Sequence, residues 1–159
     1  MIRLAISGHR GLPLRTEQLI DEALRAEVAR VAPEDLVGLS CLADGADALF
    51  ASAVLDHGGR LIAIVPAAEY RDGLPEGHHT TYDFLLGQAA DVIRLDHVES
   101  DSEAHMDASV RMLTEADRLV AVWDGQPARG YGGTADVVVA ARQRGLPVSV
   151  VWPDGARRD

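Results

Sequence analysis

Short apolar runs alternate with amphipathic stretches along the chain. Residues 2–7, 36–41, 60–65, 91–95, 118–123 and 148–152 are runs rich in Ile, Val, Leu and Ala and predict strands. Between them the apolar positions recur at helical spacing. The stretch 16–31 carries Ile20, Leu24, Val28 and Val31 on one stripe, with Pro33 closing it. The stretch 44–57 places Leu49, Phe50, Ala53 and Val54 on one face and ends at Gly58-Gly59, a natural C-cap. Further helices are expected at 80–88, at 102–116 with Met106, Val110 and Leu113 inward, and at 134–144, stopped by Gly145-Leu146-Pro147. Residues 66–77 show no periodicity and predict a long loop; the polar tail after Pro153 is expected to fray.

Strands that are continuous apolar runs suit a parallel sheet covered on both faces. Their alternation with helices points to right-handed crossovers. The expected architecture is a doubly wound, Rossmann-like α/β fold with a mostly parallel sheet of five to seven strands. Helices cover both faces, and residues 1–159 form a single domain.

Composition narrows the chemistry. All 15 basic residues are arginine, so Schiff-base chemistry and a Walker-type phosphate lysine are excluded. One cysteine, Cys41, rules out an internal disulfide and any cysteine-rich metal site. The six histidines show no metal-ligand spacing, no G-x-S-x-G elbow is present, and neither metal nor cofactor is expected. No apolar run approaches the ~18 residues that span a bilayer; no membrane partner is expected, and the cytoplasm is the expected compartment. The net charge of −10 and an aromatic content of 4 % disfavour nucleic acid as a partner.

In such a sheet, ligands lie at the carboxyl ends of the strands. Three segments fall there. The first is Gly8-His9-Arg10-Gly11; Arg10 is placed to pair with a phosphate, as is Arg129 in the third segment. The second, around Asp44, Gly45 and Asp47, opens a helix, where the carboxylates either cap it or grip a ribose hydroxyl or base amine. The third runs from Asp124 and Gly125 to Gly132, Gly133 and Thr134, with Asp136 in the next turn. Glycines before a helix N-terminus let backbone N–H groups approach an anion. A plain strand-to-helix turn with Thr134 as N-cap explains the same residues about as well.

Taken in order, Ile6-Ser7-Gly8-His9-Arg10, Leu42-Ala43-Asp44-Gly45-Ala46-Asp47-Ala48-Leu49, and Ala116 to Gly125 followed by Gly132-Gly133-Thr134-Ala135-Asp136 resemble the SLOG superfamily. This Rossmann-like group contains the DNA-processing protein A and Lonely Guy (LOG) families, and the resemblance covers roughly the whole chain. It implies a nucleotide or nucleotide-derived ligand at these loops and a homodimer. The LOG enzymes hydrolyse the N-glycosidic bond of nucleoside 5′-monophosphates with the signature P-G-G-x-G-T-x-x-E and an arginine on the preceding helix. Here the glutamate position is Val137, with Asp136 one residue early and about 100° around the helix. The arginine position holds Ala108 or Ser109, with Arg111 a turn away. Two readings follow: a ligand-binding or sensor module, or a glycosidic hydrolase whose candidate catalytic residues are Asp136, Glu115 and Arg111.

Overall fold

A computed structural model describes residues 1–158. Six strands form one all-parallel sheet: β1 (Ile2–Gly8), β2 (Leu36–Ser40), β3 (Arg60–Ala67), β4 (Asp91–His97), β5 (Arg118–Val122) and β6 (Val148–Val151). The order across the sheet is β4-β3-β2-β1-β5-β6. Five α-helices connect them: α1 (Leu14–Val28), α2 (Ala46–His57), α3 (His79–Gln88), α4 (Ser102–Glu115) and α5 (Thr134–Gln143).

The central strands are apolar runs because both of their faces are buried. Leu4 and Ile6 of β1, with Val120 and Val122 of β5, pack against Ile20, Leu24 and Val28 of α1 and Phe50 and Val54 of α2. The alternate residues Ala5, Leu119 and Ala121 face the opposite layer, where Ala108 and Met112 of α4 meet Val137, Val138 and Ala141 of α5. The α4 stripe is therefore Ala104, Ala108 and Met112, displaced from the expected Met106 and Val110, which are half-buried.

Several boundaries differ from the sequence reading for identifiable reasons. Helix α2 starts at Ala46 rather than 44, because Gly45 sits at φ 86°, ψ −132°, outside helical space. It ends as expected, with Gly58 left-handed at φ 92°. Pro33 does not close α1; it opens a 3₁₀ turn, Pro33–Asp35, that leads into β2.

Two segments make tertiary contacts that their sequences do not signal. The 66–79 stretch buries Tyr70 and Leu74, and its backbone bonds to the end of β4 through Ala68 N–H to the His97 carbonyl at 2.9 Å. The segment after Pro153 lies back along α1, where Arg157 N–H donates to Thr16 Oγ1 at 2.8 Å. Two aperiodic segments can thus be fixed by single buried side chains and polar anchors, which leave no pattern in the sequence. No helix among the described residues is long and apolar enough to cross a membrane.

Candidate functional site

The chain leaves β1 toward β2 on one side, while β5 lies on the other. The carboxyl ends of β1 and β5 therefore form the point where the strand order reverses, the place where open α/β sheets bind ligands. Three loops converge there. His9 N–H donates to the Val122 carbonyl at 3.3 Å, and the His9 carbonyl accepts from Ala46 N–H at 3.2 Å. These bonds tie the β1 exit to β5 and to the start of α2. Glycine is required at two of these approaches. A Cβ on Gly8 would lie 2.4 Å from Ala46 Cβ, and one on Gly45 would lie 2.6 Å from the His9 carbonyl oxygen. Leu42, in the same β2–α2 loop, holds a positive φ of 61° although it is not glycine. It is fixed by Ser40 Oγ, which accepts its N–H, and by His78 Nε2 at its carbonyl.

The loops enclose a cleft of about 290 Å³, close to the small end of ligand pockets, roughly 300–1,000 Å³. Its rim is cationic and its floor is not. Arg10 and Arg129 are exposed rim residues, and Arg158 arrives from the C-terminal segment. On the same side lie Gly132, Gly133 and Thr134. The floor holds Cys41, Tyr70, Ser109 and Met112, all buried, together with Asp47 and His105.

The glycine segment is held by its own helix. Gly132, at φ 86°, donates its N–H to Asp136 Oδ2 at 2.9 Å, and Gly133 N–H reaches the Gly130 carbonyl at 3.3 Å. The first α5 bond runs from Val137 N–H to the Gly133 carbonyl, so the N–H groups of Thr134, Ala135 and Asp136 have no acceptor within the helix. Gly133, not Thr134, is the N-cap residue; Thr134 is the first helical residue, and its side chain is buried. The backbone donors left without a helical acceptor are thus those of the first turn, of which Thr134 lines the cleft, while the glycine N–H at 132 is already occupied.

Other candidates are engaged within the protein. Asp44 accepts from Arg10 Nε at 2.9 Å and from Gly11 N–H at 3.2 Å, so it orients Arg10 across the two loops. Asp124 accepts from Gln126 N–H at 3.0 Å, lies 3.8 Å from Arg158, and donates its own N–H to His9 Nε2 at 3.1 Å. Burial pushes the Asp124 carboxyl up, yet the Gln126 N–H, His9 and Arg158 together hold it below the usual carboxylate range. Gly125, at φ 81°, shapes the turn after Asp124 and is exposed outside the cleft.

His9 is buried, and burial together with Arg158 lowers its pKa. A neutral ring that accepts at Nε2 carries its hydrogen on Nδ1. The 3.2 Å approach of Asp124 Oδ1 to the same Nε2 is therefore no ion pair at neutral pH. His9 Nδ1 has no hydrogen-bond partner among the described residues, at a cost of about 1–3 kcal/mol.

Glu115 and Arg111 lie elsewhere. Glu115 pairs with Arg3 at 3.3 Å, at the amino end of β1, and with Arg111 at 3.4 Å. Arg111 lines a separate groove beside β4. Asp136 belongs to the glycine segment but faces Gly132 N–H rather than lining the cleft. Conversely, Arg158, Tyr70, His105 and Ser109 line the cleft without having been singled out. Ser109 is one of the two residues at the expected arginine position, a place the resemblance had marked; the other three reach the cleft from separate segments with no local motif. Among the described residues, no group of three or more His, Cys, Asp or Glu could hold a metal ion.

No family model matches the chain, and no curated protein matches it in sequence. Solved structures share its fold. DNA processing protein A from Helicobacter pylori, described by its single-stranded DNA binding mode, has a TM-score of 0.70 at 14% identity, over 98% of this chain and 67% of that one. DNA processing protein A from Streptococcus pneumoniae has a TM-score of 0.68 at 15% identity, over 98% of this chain; the chain spans about half of that protein, 52%. The molybdenum cofactor binding protein from Rippkaea orientalis has a TM-score of 0.63 at 13% identity, over 96% of this chain and 77% of that one. The chain shares with these structures a Rossmann-like fold.

Nucleic acid was set aside on a net charge of −10, yet a neighbour in this fold is described as binding single-stranded DNA. Net charge averages over the whole surface, whereas binding answers to the local field. Three arginines stand at one cleft of this acidic chain.

Proposed function

We propose that the protein binds a nucleotide or nucleotide-derived phosphate ligand in the cleft at the strand-order reversal and serves as a ligand-binding or sensor module. One observation carries this reading: Arg10, Arg129 and Arg158 converge on the same cleft as the first turn of α5. An arginine fork and unpaired helix N–H groups are complementary to phosphate oxygens, and the helix dipole adds to the attraction. The relatives named for small-molecule binding support a ligand in a fold of this kind.

No observation favours the hydrolase reading over binding. Asp136 is bonded to Gly132 N–H, while Glu115 and Arg111 face away from the cleft. Incubation of the protein with a panel of nucleoside monophosphates and NAD tests both readings. Calorimetry reports binding, and chromatography reports free base. Saturable binding with no base released is the expected result. Release of base would make the protein a hydrolase, and no binding at millimolar ligand would overturn the reading.

A further inference from the structure

The floor of the cleft differs in kind from its rim. The groups facing Asp47 come from five places. Arg10 approaches from the β1–α1 loop, where Asp44 engages it; Cys41 follows β2; Asp44 precedes α2; Tyr70 comes from the segment after β3; His105 and Ser109 come from α4. Arg129 and Arg158 stand on the rim. Burial raises both the Cys41 thiol and the Tyr70 hydroxyl, so neither ionises near neutrality. Burial and the charge of Arg10 lower His105, so it too is neutral, and its Nε2 lies 2.8 Å from Ser100 Oγ. Asp47 is pushed up to about 7 by burial, against the opposing pull of the Ala43 backbone bond and Arg10. The floor is therefore an uncharged hydrogen-bonding surface below neutrality, edged by the Tyr70 ring, which meets His105 edge-on at 5.7 Å.

We propose that this floor is the subsite for the heterocyclic base of the phosphorylated ligand, and that Asp47 reads a base edge on which a hydrogen-bond acceptor lies beside a donor, as on adenine and cytosine. The inference rests on the phosphate assignment above, which places the other end of the ligand at the rim. A neutral carboxyl donates its O–H to a ring nitrogen while its carbonyl oxygen accepts from an exocyclic amino group. A carboxylate instead suits two adjacent donors, the N1–H and amino edge of guanine. Entry of a ligand removes further water from Asp47, which favours the neutral form and hence the acceptor–donor edge.

The test is calorimetric titration of the full chain with AMP, GMP and ribose 5-phosphate from pH 6 to 8.5. Asp47→Asn and Asp47→Ala are run in parallel, with melting temperatures as the check on folding. Phosphate ionisation, with a pKa of about 6, affects AMP and ribose 5-phosphate alike, so the ratio of their affinities isolates the base. In the wild type this ratio falls about tenfold between pH 6 and 8 as the carboxyl ionises. In Asp47→Asn, whose amide offers a permanent donor beside an acceptor, the ratio stays high and loses its pH dependence. In Asp47→Ala it falls toward one. A wild-type ratio that does not change with pH, an unchanged ratio in Asp47→Ala, or a GMP to ribose 5-phosphate ratio that falls with pH alongside that of AMP would overturn the base subsite. Failure of ribose 5-phosphate itself to bind would overturn the phosphate assignment, and this inference with it. Binding of ribose 5-phosphate with no added affinity for AMP would overturn the base subsite alone.

Discussion

The two edges of the sheet use charge differently. At the amino edge, charged groups satisfy one another on the surface: Arg3 pairs with Glu115, Glu115 with Arg111, and Arg3 N–H donates to Asp117 at 2.8 Å. At the carboxyl edge, charged groups are spent on holding geometry around a cleft. Asp44 aims Arg10, Asp136 closes the glycine segment, and Asp124 fixes His9 and meets Arg158. At the amino edge left-handed backbone is confined to the glycines that close helices, Gly58 and Gly145, whereas at the carboxyl edge it falls at Leu42, Gly45, Gly125 and Gly132 in the loops around the cleft. Charge alone thus does not mark a site. What separates the edges is that one pairs its charges in solvent, while the other orders them against strained backbone and a cavity.

This comparison breaks first at Gly45. Gly45→Ala combines a left-handed φ with a Cβ 2.6 Å from a backbone oxygen. It is expected to cost about 4 kcal/mol, read as loss of cooperative melting or a lowered midpoint in denaturant. Gly133→Val comes next. Its φ of −70° is ordinary, but the added Cβ would lie 2.9 Å from Ala128 Cβ, forcing aside the segment that carries Arg129. AMP affinity is expected to fall roughly 100-fold, about 2.8 kcal/mol, with the fold retained by circular dichroism.

Asp47 sharpens the contrast through pH. Its folded pKa of about 7 stands above the 3.8 of an ordinary aspartate, so ionising it costs stability, the reverse of a paired carboxylate. Asp47→Asn is therefore expected to be more stable than wild type, in full above pH 7. The difference fades as pH falls through 7 toward 4. Allowing for the partial exposure of the side chain, the gain at pH 8 is about 2 kcal/mol by denaturant unfolding. The smallest effect belongs to the amino edge. Glu115→Gln leaves a half-exposed pair broken; it is expected to cost under about 1 kcal/mol and to leave AMP affinity unchanged by calorimetry.

The order of strands and helices was legible because each strand is a short apolar run, buried on both faces in the central strands, and each long helix has an apolar stripe. Ile20, Leu24 and Val28 are buried as their spacing requires. The loops that meet at the cleft were legible as well, since Gly8, Arg10, Asp47 and the 132–134 segment stand at strand exits. Their division of labour was not. Asp44 and Asp47 are three residues apart and alike in sequence, yet one is clasped by Arg10 and the other desolvated at the cleft floor. That difference depends on Tyr70, Cys41 and His105, which arrive from three other segments. Arg158 illustrates the same limit. Nothing in a polar tail marks the residue that folds back to the cleft, because the anchor is a hydrogen bond from Arg157 N–H to Thr16 Oγ1 on a helix near the other end of the chain.

The central claim is that a phosphate-bearing ligand sits where the arginines meet the first turn of α5. Titration of isotope-labelled protein with AMP, followed through backbone amide resonances, tests it most directly. The account predicts saturable shifts concentrated at Gly8–Arg10 and at Gly130–Asp136, absent in Gly133→Val, with the amides of Arg3, Glu115 and Asp117 unmoved. Shifts centred on the amino edge, or none at millimolar AMP, would contradict it.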